Sequence, residues 1–145
     1  MMISTRGRYA LRLMLDLAQN QGEGYVALKD IAERQDISKK YLEQIIPTLN
    51  RLGLLSTVRG FQGGYRLSRE PAAYTLGEIL KATEGSLAPV ACLSTEKNLC
   101  ARQADCATLP VWTKLDQLIG DYLGSVTLQD LIDQQQERSN NSFVI

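Results

Sequence analysis

Residues 38–66, "SKKYLEQIIPTLNRLGLLSTVRGFQGGYR", decide the fold. Leu42, Ile45, Ile46, Leu49 and Leu52 recur at helical spacing. Ser38 suits the N-cap, and Gly53 suits the C-terminal position where φ turns positive. Just upstream, "LKDIAERQD" reads as a shorter helix with Leu28, Ile31 and Ala32 inward, followed by the tight turn "IS". Two short helices joined by a brief turn form a helix-turn-helix. Just downstream, "LLSTVRG" and "GYRLSR" are extended runs joined by "FQGG", a hairpin pattern. A helix-turn-helix followed at once by a hairpin is a winged helix, and that succession is more specific than any one piece of it. Pro47 removes a hydrogen bond to the carbonyl of Glu43, so the spacing predicts a bend in the second half of the helix.

Around this core, residues 4–19 read as a helix in which Tyr9, Leu11, Met14, Leu15, Leu17 and Ala18 share one side. Ser4 or Thr5 can cap it. "TLGEILKATEG" is a further helix with a capping box, Thr75 followed by Glu78. Residues 85–107 lack periodicity and read as a loop. A long helix follows from 108 to 123, with Pro110 in its first turn. Val111, Trp112, Leu115, Leu118, Ile119, Tyr122 and Leu123 give it an apolar face too broad for a lone exposed helix. That face packs on the domain or on a second copy. "VTLQDLIDQQQER" is a last amphipathic helix, and "SNNSFVI" a polar tail with an apolar end. The fold class is mainly α, a winged helix-turn-helix with a β-hairpin wing and a long C-terminal helix. Three segments are expected: 1–84 for the winged helix-turn-helix, 85–107 for the cysteine-bearing loop, and 108–145 for the long helix, the final helix and the tail.

The chain has 145 residues and three cysteines but no histidine. A single domain of this size buries roughly 68–70% of its unfolded surface, so disulfide staples are not required. The N-terminus is no signal peptide, because Arg8, Arg12 and Asp16 interrupt its apolar residues. No run approaches the ~18 apolar residues of a membrane span, and a cytoplasmic protein is expected. Without histidine, a Gly-x-Ser-x-Gly elbow or a phosphate loop, nothing points to an enzyme. Net charge is zero, but its distribution is uneven. Residues 1–70 hold 11 Lys and Arg against 7 Asp and Glu, whereas residues 71–145 hold 5 against 9. A basic half can face phosphates, and scattered surface charge gives the same count.

A recognition helix enters the major groove by its N-terminal residues, here Ser38, Lys39, Lys40, Tyr41, Glu43 and Gln44. Lys39 and Lys40 can pair with phosphates. Gln44 can bond adenine and Glu43 can accept from cytosine. A solvated polar helix face is the plain alternative. On the hairpin, Arg59 can reach a narrow minor groove. Gly60, Gly63 and Gly64 permit a tight turn and close approach to DNA.

All three cysteines lie within 92–106, "CLSTEKNLCARQADC". Clustered cytosolic cysteines more often bind metal or react than form bridges. An iron–sulfur cluster, zinc, a redox switch and inert thiols all remain open on spacing alone.

Taken together, "ISTRGRYALRLMLDLA", "KKYLEQIIPTLNRLGLLSTVRGFQGGYRLSR", "TLGEILKATEG", the cysteine loop and "VTLQDL" resemble the bacterial Rrf-two-type transcription regulators. The resemblance spans nearly the whole chain and is most specific from Tyr41 to Tyr65. It implies a homodimer in which the 108–123 helix crosses the partner, reading a pseudo-palindromic site on double-stranded DNA. It implies a [2Fe–2S] or [4Fe–4S] cluster on Cys92, Cys100 and Cys106, as in the family's cluster-binding members. It also exposes a gap. One branch takes its fourth ligand from a histidine where this chain has Leu109, and another from an aspartate where it has Arg8. Asp105, Glu96, the other subunit or an external thiol would have to serve. A third branch regulates cysteine metabolism through cysteine synthase, which accepts a C-terminal isoleucine carboxylate. This chain ends in Ile145, and capture of a terminal carboxylate is a recurrent recognition mode. An unstructured tail is the plain alternative.

Overall fold

The computed structural model describes residues 2–141; the expectation for Ile145 lies outside them. Three helices open the chain: α1 (Thr5–Asn20), α2 (Leu28–Gln35) and α3 (Lys39–Arg51). Strands β1 (Leu55–Val58) and β2 (Gly64–Leu67) pair antiparallel, Leu55 opposite Leu67 and Val58 opposite Gly64. Then come α4 (Leu76–Glu84), α5 (Leu109–Ser125) and α6 (Leu128–Asn141). The winged helix predicted from residues 38–66 is present.

Ser4, not Thr5, caps α1, its hydroxyl accepting from the Gly7 N–H at 3.1 Å. Ser38 caps α3 in the same way, accepting from Tyr41 N–H at 3.0 Å. The predicted capping box at Thr75 is only half formed. Thr75 accepts from Glu78 N–H, but the Glu78 carboxylate accepts from Arg69 at 2.6 Å instead. A complete reciprocal box stands at α6, where Thr127 N–H donates to Asp130 and Asp130 N–H donates to the Thr127 hydroxyl. Aspartate at this position completes the box as glutamate would.

Helix α3 runs unbroken through Pro47. Leu42, Ile45, Ile46 and Leu49 are buried on either side of the proline. Four such side chains contribute roughly 1.5–3 kcal/mol each, against about 3 kcal/mol for an interior proline. Burial prevails. Leu52, predicted to extend the stripe, is exposed, because it falls at the C-cap where the helix ends.

The core gathers Ala10, Leu13, Met14 and Leu17 of α1 with the α3 stripe, Ile31, Ile37, Ile79 and Tyr74. Leu128 of α6 is fully buried in the same cluster, and Leu76 N–H bonds the Val126 carbonyl beside it. The last helix therefore packs into the winged-helix unit. Helix α5 differs from every other helix: none of its 17 residues is buried.

Two polar knots fix the angles. Asp16 is buried at 1% exposure, between Arg34 at 2.7 and 3.0 Å and Gln35 at 2.9 Å. The hydrogen bond to Asp16 holds the Arg34 proton more firmly than usual. The hydroxyl of buried Tyr74 donates to the Leu54 carbonyl at 2.7 Å and accepts from the N–H groups of Ser68 and Arg69. The first knot ties α1 to α2. The second ties the base of the hairpin to the segment entering α4.

Candidate nucleic-acid interface and cysteine loop

The α2–α3 turn places the candidate DNA-reading residues. Asp36 takes a left-handed conformation, φ 53°, at the end of α2. Ile37 is buried, and Ser38 starts α3. Asparagine and aspartate tolerate this backbone because their side chains can bond locally. With its apolar stripe inward, α3 leaves Ser38, Lys39, Lys40, Glu43 and Gln44 exposed on the far side. Lys39 lies 3.9 Å from Glu43 as an exposed pair, worth at most a few tenths of a kcal/mol and readily exchanged for a phosphate. Two lysines in a first turn oppose the helix dipole, which favours acids there. Departures from a local rule of this kind are expected at functional positions.

Tyr41 is placed differently. It is half-buried, and its ring meets Tyr9 edge-on at 5.4 Å, with Arg12 over the Tyr9 ring. Arg6 went unnoticed in the sequence. It reaches from the first turn of α1 to the Thr48 hydroxyl at 3.0 Å and to the Gln44 carbonyl. It adds a cation beside the recognition helix that only the packing of α1 against α3 brings there.

The hairpin stands beside the recognition helix. Residue 26 adds a third, single-residue rung, Val26 and Tyr65 exchanging backbone hydrogen bonds at 2.8 Å. Gly64 is required by this rung, since a Cβ there would strike the Val26 carbonyl. Gly63 closes the tip by donating to the Gly60 carbonyl at 3.0 Å, and Gly60 sits at φ 109°. These glycines shape the hairpin itself. Arg59 is exposed at its tip. Lys39 and Glu43 of α3 line one open cleft together with Lys29, Asn50, Arg59 and Phe61. Thr57 donates to Asn50 at 3.1 Å across its floor, holding helix and wing in register.

The cysteines sit apart from this face. Cys92 lies in a short 3-10 turn, Ala91–Leu93, and Cys106 directly follows another, Gln103–Asp105. Cys100 is exposed between them. Among the described residues, no three Cys, Asp or Glu side chains stand close enough to hold a metal ion. The structure does not bring the three sulfurs together. Cys106 is chemically distinct. Hydrogen bonding from the Thr108 hydroxyl, at 3.5 Å from the sulfur, and from backbone N–H groups entering α5 lower its pKa below the usual thiol value. A lowered pKa enlarges the thiolate fraction at neutral pH. In reduced, metal-free protein at pH 7, Thr108→Val will slow the alkylation of Cys106, because it withdraws the hydrogen bond that lowers the thiol's pKa. Peptide mapping after brief iodoacetamide treatment checks this; equal rates with and without the substitution would refute it.

Against known families, residues 3–134 match the model described as an iron-dependent transcriptional regulator, Rrf2. The chain belongs to the Rrf2 family. It is 40% identical to the regulator CymR of Bacillus subtilis over 131 residues, 90% of this chain and 89% of that one. It is 39% identical to the regulator IscR of Xenorhabdus nematophila over 136 residues, 94% of this chain and 82% of that one. The solved structure of B. subtilis CymR, described as that organism's global cysteine regulator, superposes with a TM-score of 0.77 at 36% identity, covering 92% of this chain and 98% of that one. This Rrf2 protein is thus a DNA-binding transcription regulator and not an enzyme. Among the described residues no helix is long and apolar enough to cross a membrane.

For a regulator the lysines and the glutamine on the exposed face of α3 predict separable effects. Lys39→Ala or Lys40→Ala will weaken binding to every duplex alike and flatten the slope of log affinity against log salt by about 0.9 per lost phosphate contact. Gln44→Ala will leave that slope intact but relax preference at one base position by about 1–3 kcal/mol. Titrations against single-base variants at three salt concentrations separate the two. Unchanged binding in all three variants would displace α3 from the interface.

Proposed function

We propose that the chain is a homodimeric transcription regulator that reads a pseudo-palindromic operator, with its cysteine loop as the gate. The cleft where Lys39 and Glu43 of α3 face Arg59 of the wing carries the reading. It supports one element in a major groove and its neighbour in the adjoining minor groove. Two-fold operators need two such units, and α5, with no buried residue, supplies the surface to join them. Its regulated genes are those of iron–sulfur cluster or cysteine metabolism, as likeness to IscR and CymR supports.

The gate is a [2Fe–2S] or [4Fe–4S] cluster on Cys92, Cys100 and Cys106. Thiolates are the donors such clusters take, and bound there a cluster would supply a redox- and iron-sensitive clamp on the loop. The separated sulfurs of the free chain do not yet make a ligand set, so this reading requires loop closure and a fourth donor. The test is anaerobic purification with iron and sulfide assays, a visible spectrum, and operator affinity before and after cluster loss. Brown protein whose affinity changes on loss supports the cluster. Colourless protein after attempted reconstitution, with affinity that changes on mild oxidation, replaces it with a thiol switch.

A second reading has Ile145 dock into cysteine synthase, a mode that carboxylate capture in a backbone nest would serve. A peptide of the last ten residues that neither binds the synthase nor competes with the whole chain would end that reading.

A further inference from the structure

Phe61 is the most exposed large apolar side chain among the described residues, at 102%. Single exposed apolar residues are ordinary on protein surfaces. The position of this one is not. Gly63 N–H closes onto the Gly60 carbonyl, so Gly60 to Gly63 form a tight turn with Phe61 as its second residue, at the apex of the wing. Gly60, at φ 109°, takes a backbone that side-chain-bearing residues rarely adopt. Arg59 precedes the turn, and Phe61 lines the same cleft as Lys39 and Glu43 of the recognition helix. Val58 on the same wing is also exposed, at 42%, but it belongs to β1, and only Phe61 stands on the turn itself. The other exposed apolar side chains lie at Tyr25, at the end of α3, on α5, in the cysteine loop or near the N-terminus. An aromatic ring is therefore held out on a short, pinned turn, between a cation that suits a minor groove and the helix that suits the adjacent major groove.

We infer that Phe61 is a DNA wedge: its ring enters the minor groove beside Arg59 and partly unstacks one base step, kinking the duplex. This deepens the DNA-reading proposal above and rests on the wing being placed as described there. Apolar side chains inserted between base steps bend DNA toward the major groove, which is the direction that wraps the duplex onto α3. Pyrimidine–purine steps open most easily, so the wedge confers a preference for TA or CA/TG at the wing position without a hydrogen bond to any base. The wing then contributes to specificity through shape, while Arg59 contributes through charge.

The intact protein first selects its site from a random duplex library. The selected duplex, end-labelled for energy transfer, reports bending. The same duplex with 2-aminopurine at each successive step reports unstacking. Wild-type protein is expected to shorten the end-to-end distance and brighten one step on each side of the site centre. Phe61→Ala should abolish that brightening, reduce the bend and weaken binding about tenfold, with the salt slope unchanged. Phe61→Leu, which keeps an apolar wedge, should retain most of the bend. Arg59→Ala should flatten the salt slope. A selected duplex whose bend and fluorescence are the same with Phe61→Ala as with wild type overturns the wedge alone. A protein that selects no duplex overturns the wedge and the recognition-helix reading together.

Discussion

Arg34→Leu will lose about 3–5 kcal/mol of folding stability, read as a lower urea midpoint at unchanged slope. The reason is an asymmetry within one ion pair. Asp16 is 1% exposed, whereas Arg34 is 39% exposed. Removing the arginine leaves a buried carboxylate with a single side-chain donor, the Gln35 amide at 2.9 Å. Removing the carboxylate leaves a guanidinium that water can reach. Asp16→Leu should therefore cost less than Arg34→Leu, and the double leucine variant should recover much of the loss. Replacing a buried pair by apolar groups is often neutral, whereas stranding one charge is not. Equal costs for the two single variants would mean that Asp16 is solvated once its partner goes.

The same knot bears on DNA reading. Gln35 ends α2, donates to Asp16, and accepts from Arg12 at 3.2 Å. Arg12 also bonds the Gln35 carbonyl, where cations complement the helix dipole. Arg12 stacks on Tyr9, and Tyr9 meets Tyr41 of α3. Helix α1 thus grips α2 at its end and α3 near its start. Loosening the first contact should let α3 shift relative to the wing, so Arg34→Leu should bind its operator more weakly even at temperatures where it stays folded.

The winged helix was legible in the sequence because its signals are local. Ser38, the apolar stripe of α3 and the hairpin glycines each act within a few residues of themselves. The knots were not legible. Asp16 sits 18 residues from Arg34, and nothing in a helical pattern distinguishes a buried aspartate from a solvated one. Arg6 lies 42 residues from Thr48 and was hidden for the same reason. Pro47 shows the balance of local and tertiary terms: the missing N–H argues for a bend or distortion in the second half of α3, and burial of the stripe on the opposite face keeps the helix unbroken through it. The cysteines mark a different limit. Their spacing in the chain is plain, but a loop without repeating backbone structure gives no rule for turning spacing into distance.

Helix α5 yields the other large effect. Val111, Leu115, Leu118 and Tyr122 are exposed at 58%, 38%, 52% and 67%. Their separations run four, three, four, the rhythm of a helix seam that packs against another helix. No other helix among those described leaves such a row open, and α4 covers only its opposite side, where Gly77 meets the backbone of Leu123 and Gly124. Aspartate at both Leu115 and Leu118 should therefore turn the proposed dimer into a monomer in sedimentation, without changing helical content, because neither side chain supports the core. Losing the second recognition unit removes the avidity that joins two half-sites, commonly 10²–10⁴-fold. Affinity for a full operator should fall by at least about a hundredfold, while affinity for an isolated half-site should barely change. The contrast between full and half sites separates loss of pairing from damage to the reading face, which would weaken both equally. A double variant that still sediments as a dimer and still holds the full operator would show that the open seam of α5 faces water, and that the two-fold arrangement is built elsewhere.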